Sequence, residues 1–69
     1  MSTVRRIQNS IQEHRQHLKM TQEQLGDAVG VTRQTIISIE KENYTPSLAL
    51  AFSLSRVFKK PIDTLFWEL

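Results

Sequence analysis

Cysteine is absent from the 69-residue chain, which excludes disulfides, a thiolate metal site and a cysteine nucleophile, and fits a reducing cytoplasm. Glycine and proline occur twice each, and no linker, repeat or low-complexity tract interrupts the sequence. No apolar run approaches the roughly 20 residues that cross a bilayer, and the start of the chain lacks the apolar block of a secretion signal. Catalytic material is scarce too. There is no phosphate-cradling glycine loop, no metal-ligating cluster and no nucleophile–base pair, so neither an enzyme, nor a metal, nor any other cofactor is expected. His14 and His17 stand three residues apart, but no Asp or Glu is suitably placed beside them, and His14 falls on an apolar face. Charge is modest, at net +2 with a pI near 9.4. It is also uneven. The first twenty residues carry Arg5, Arg6, Arg15 and Lys19 against Glu13, whereas residues 21 to 42 carry Arg33 and Lys41 against Glu23, Asp27, Glu40 and Glu42.

What the chain does have is a pair of capped helical patterns around a tight turn, TQEQLGDAVGVTRQTIISIE, from Thr21 to Glu40. Thr21 is an N-cap with Gln24 as its capping-box partner, and Leu25, Ala28 and Val29 recur at helical spacing. Gly30 stops this helix where a left-handed residue is usual. Thr32 then caps a second helix, over about 33 to 41, whose inner face is Ile36 and Ile39. Two such helices form a helix-turn-helix, whose second helix can enter the major groove of DNA.

The remaining pattern predicts three more helices. The first spans about 5 to 18, with Val4, Ile7, Ile11, His14 and Leu18 on one face. Ser47 caps another over about 48 to 59. It is apolar nearly all round and hence expected to be covered on most sides. Lys59, Lys60 and Pro61 end it, and Ile62, Leu65 and Phe66 mark a short fifth helix ending near Trp67. The expectation is one all-α domain of five helices over residues 1–69, without a sheet. A core this small buries only about 60% of the unfolded chain's surface, so dimerisation would help it.

The chain resembles the small phage-repressor-like (Cro/CI, or XRE-type) helix-turn-helix transcriptional regulators. The resemblance covers roughly residues 7 to 66, through TQEQLG, GVTRQTIISIE, NYTPSLALA and PIDTLF, and is greatest to short stand-alone members. It implies a five-helix lambda-repressor-like DNA-binding fold. Gly26 stands where helices 2 and 3 approach, a place the family usually gives to Ala. Carried over from the family, Arg33, Gln34 and Ser38 reach base edges, with Thr35 close to the backbone or a base. Arg pairs bidentately with guanine and Gln with adenine, each pair giving about 1–3 kcal/mol of discrimination. Ile37, where the family has a polar residue, either touches a thymine methyl or lies partly covered at the groove rim. Gln22 is expected at a phosphate, aided by the positive end of its helix. Thr32, Asn43 and Tyr44 are further backbone contacts. Arg15 and Glu40 align with a pair that bridges helices 1 and 3. Glu42 stands where the family often has Gly, so Asn43 is expected to supply the left-handed residue. Lys19 and Lys59 occupy other positions where Gly commonly ends helices.

The apolar surface left over lies at the C-terminal end: Phe52, Val57, Ile62, Phe66, Trp67 and Leu69. These residues form the expected homodimer interface, although Phe66 and Trp67 serve equally well to close the monomer core. Arg5 and Arg6 are either phosphate contacts or solvated charges. The leading function is a sequence-specific transcriptional regulator of the bacterial or phage cytoplasm. It binds double-stranded DNA at a palindromic operator and represses, with no membrane and no apparent small-molecule effector site. Two other readings stay open: the antitoxin of a toxin–antitoxin pair, and a protein-interaction module that has given up DNA.

Overall fold

A computed structural model of the protein describes residues 6–69. In chain order it contains strand β1 (Ile7–Asn9), helices α1 (Ile11–His17), α2 (Gln22–Val29), α3 (Arg33–Glu40), α4 (Leu48–Phe58) and α5 (Ile62–Leu65), and strand β2 (Phe66–Glu68). The helices pack around Ile11, Leu25, Ile36, Ile39, Leu54 and Leu65, all fully buried.

Local chemistry explains where the central helices start. Thr21 Oγ1 accepts from the Gln24 amide at 3.0 Å, and Gln24 Oε1 accepts from the Thr21 amide at 2.8 Å, which completes a capping box. Thr32 and Ser47 cap α3 and α4 by accepting from the amides of Thr35 and Leu50. Between α2 and α3 the chain turns through Gly30 at φ 80°. Gly26 has a separate reason to lack a side chain: a Cβ there would lie 2.7 Å from the Val31 carbonyl oxygen. The turn between the two helices therefore rests directly on the backbone of α2.

Helix 1 is shorter than its periodicity predicts, and the domain is not free of sheet. Ile7–Asn9 pairs antiparallel with Phe66–Glu68, Gln8 opposite Trp67. The break falls at Asn9, whose Oδ1 accepts from the Ile11 amide while its Nδ2 donates to the Ile39 carbonyl across the core. An Asn side chain that binds nearby backbone favours a helix start over a helix interior. The Ser10 amide donates to the Leu65 carbonyl, tying the start of α1 to the end of α5. Helix 5 correspondingly stops at Leu65, and Phe66 and Trp67 are strand residues. Val4 and Arg5 lie outside the described residues.

Three smaller expectations also change. Glu42, not Asn43, is the left-handed residue after α3, at φ 63°. The Glu42 amide bonds the Ile39 carbonyl and the Asn43 amide bonds that of Ser38, the two bonds of a Schellman ending. Lys19 and Lys59 are left-handed as well, at φ 58° and 55°. Leu18 is exposed beyond the end of α1. Finally, α4 is covered on one side only: Leu50, Ala51, Leu54 and Phe58 are buried, while Leu48 and Phe52 are 67% and 49% exposed.

Candidate nucleic-acid interface

Helix α3 is fixed by its buried residues Ile36 and Ile39, so its remaining side chains are placed by helical geometry alone. Arg33 and Gln34 are exposed at its first turn. Thr32, Gln34, Thr35 and Ser38 join Asn43 and Tyr44, from the loop beyond α3, around an open depression of about 450 Å³. Residues expected at base edges and residues expected at phosphates thus line one concavity. The Thr32 and Thr35 hydroxyls lie 3.1 Å apart across its edge. Arg33 and the half-buried Ile37 are on α3 but outside this lining.

Behind that surface sits a buried ion pair. Arg15 Nε donates to Glu40 Oε2 at 2.7 Å and Nη2 to Oε1 at 3.2 Å, while Nη1 donates to the Met20 carbonyl at 2.8 Å. The two side chains are 10% and 5% exposed. Gln22, expected at a phosphate, is held in the same network, with its Nε2 donating to Glu40 Oε1 at 3.1 Å. A second ion pair, Arg6 Nη2 to Glu42 Oε1 at 3.2 Å, lies at the surface. Sequence reasoning missed this pair, because nothing in local spacing links positions 6 and 42.

The residues expected at a dimer interface are divided among faces. Ile62 and Phe66 line an apolar groove of about 290 Å³ with Ile7, Pro46, Leu48 and Ala51. Phe52 is exposed one helical turn beyond Leu48. Val57 packs against the core. Side chains alternate along a strand, so Trp67 points away from Phe66, and its Nε1 donates to Gln8 Oε1 at 3.2 Å. The Leu69 amide bonds the Arg6 carbonyl.

His14 is used structurally. Its Nδ1 lies 2.9 Å from the Ser10 carbonyl, and its ring centroid is 5.7 Å from that of Phe58. Among the described residues no group of His, Asp and Glu is arranged to hold a metal, and no helix is long and apolar enough to cross a membrane.

Two helices joined through Gly30, the second presenting polar side chains around an open concavity, define a helix-turn-helix domain of the repressor-like kind. Comparison with known proteins agrees. The helix-turn-helix family model matches residues 11–65, and the chain belongs to that family. An uncharacterized HTH-type transcriptional regulator of Bacillus subtilis, YgzD, is 43% identical over 61 residues, covering 88% of this chain and 92% of the relative. One from Methanothermobacter thermautotrophicus is 51% identical over 57 residues, 81% of this chain and 83% of the relative. Among solved structures, the P22 c2 repressor in complex with synthetic operator 9T superposes with a TM-score of 0.75 at 30% identity, over 77% of this chain and 80% of that one. The family is one of DNA-binding transcriptional regulators, not of enzymes.

The Arg15–Glu40 pair yields a stability test. Arg15→Ala and Glu40→Ala should each lower the melting temperature, since each strands a buried charge. The double variant should lose less than the sum, with a coupling of about 0.5–3 kcal/mol. Strict additivity in thermal or urea unfolding contradicts a working pair.

Proposed function

We propose that the protein is a transcriptional repressor that binds a palindromic operator as a homodimer, reading bases with α3. The observation that carries this reading is the depression lined by Thr32, Gln34, Thr35, Ser38, Asn43 and Tyr44 on a capped, rigidly seated helix. Gln34 and the exposed Arg33 supply bidentate donors and acceptors for purine edges, and Ser38 and Thr35 shorter contacts. Ile37 supplies an apolar contact for a thymine methyl. Thr32, Asn43 and Tyr44 suit phosphates, and so does Gln22, whose amide nitrogen carries a second N–H beyond the one given to Glu40. The P22 c2 repressor supports the reading, as the similar structure holds an operator. With an operator bound, the simplest mechanism is occlusion of polymerase.

One recognition helix reads too few base pairs to stand out among genomic sites, so two-fold pairing is needed. Dimerisation would set two α3 helices about 34–36 Å apart, in successive major grooves. The apolar groove lined by Ile62, Phe66 and Leu48 is the surface best suited to a second copy, because Phe52, one helical turn along α4 from Leu48, adds a further exposed apolar side chain. Trp67, Leu69 and the core-packed Val57 are not among the residues that line this groove.

Two measurements test the proposal. After operator selection from a random duplex library, Arg33→Ala should weaken operator binding by about 1–3 kcal/mol and relax preference at one position of each half-site. Gln22→Ala should weaken operator and random duplex alike, as a phosphate contact does. Equal loss on both duplexes for Arg33→Ala would remove it from base reading. In sedimentation, the intact chain should be a dimer at micromolar concentration and Phe52→Glu a folded monomer with much weaker operator binding. An intact chain that stays monomeric and binds single half-sites contradicts the dimer.

A further inference from the structure

The two glutamates at the end of α3 have different surroundings. Glu40 is buried, with its charge matched by Arg15. Glu42 stands just past the end of α3, immediately before Asn43 and Tyr44, which line the depression. Its backbone is fixed by the Schellman bonds, and its side chain is 21% exposed. Arg6, its partner, is 65% exposed, with its Nη2 3.2 Å from Glu42 Oε1. The carboxylate is the more enclosed member of the pair and the guanidinium the more exposed one.

Binding of any duplex depends on the phosphate charge, whatever the sequence. A carboxylate next in sequence to residues that line a duplex-binding surface opposes that term without touching a base, and an exposed arginine paired with it offsets the opposition. Resting on the reading of α3 as the duplex-binding helix, we propose that Glu42 is an affinity-limiting residue. Its charge restrains binding to duplex DNA of every sequence, and Arg6 sets how strongly. The restraint leaves the lifetime of a complex to the contacts that α3 makes with bases.

The test uses Glu42→Gln, Arg6→Gln and the double variant. Each is titrated against the selected operator and a random duplex at low and high salt, with thermal melts to verify folding. Glu42→Gln should tighten binding to both duplexes by a similar factor, roughly 3- to 10-fold at low salt, the order of one phosphate contact. The difference should shrink at high salt, because screening weakens it. Arg6→Gln should loosen both, and the double variant should return near the unaltered protein. Should Glu42→Gln fold poorly, Glu42→Gly suits the left-handed backbone and carries the same expectation. A folded Glu42 variant that binds both duplexes no better at low salt overturns the inference while leaving the functional reading in place. Failure of the unaltered chain to bind any duplex overturns the functional reading and this inference with it.

Discussion

Arg15 holds three elements together with one guanidinium. It takes both Glu40 oxygens at the end of α3, and the Met20 carbonyl in the turn before α2, while Gln22 of α2 closes on the same carboxylate. Removing two charges from water costs several kcal/mol per ion, and their attraction repays it only when the remaining donors and acceptors are satisfied. Here the guanidinium makes three bonds and the carboxylate accepts three, and no buried side-chain polar atom among the described residues lacks a partner. A network with such demands tolerates few arrangements of α1, α2 and α3. It thereby fixes the orientation of the helix proposed to read DNA.

The same chemistry resolves a puzzle in the charge distribution. Read linearly, residues 21 to 42 are acidic, a poor match for a phosphate backbone. Folding brings Arg15 to Glu40 and Arg6 to Glu42, so arginines from the basic N-terminal stretch stand against both acids, matching the charge of Glu40 and offsetting that of Glu42. Charge along a sequence and charge on a surface are different quantities, and only the second meets a ligand.

Much of the fold was legible because its signals are local. Thr21, Thr32 and Ser47 cap helices within three residues of themselves, and Gly30 ends α2 through its own backbone freedom. The hairpin was not legible, since its strands are three residues each and Trp67 bonds Gln8 across 59 positions. Strands that short carry no usable alternation, and the helical period of Val4, Ile7 and Ile11 pointed the other way. Asn9 followed by Ser10 was the available warning, as two residues that favour helix starts inside a predicted helix. The left-handed Glu42 escaped for a different reason. Asn was the better candidate by propensity, but the Schellman bonds require that conformation one residue earlier. Of the candidate site, the α3 residues were legible from helical spacing, whereas the inward hold on Gln22 depends on tertiary contact with Glu40.

On the proposed reading, α3 and the loop beyond it form the surface that meets DNA. Titrating a selected operator duplex into isotopically labelled protein and following backbone amide resonances tests it most directly. The largest shifts are expected at Thr32 to Ser38 and at Asn43 and Tyr44, with smaller ones at the start of α2. Shifts confined to α4 and the hairpin, with α3 silent, would contradict it.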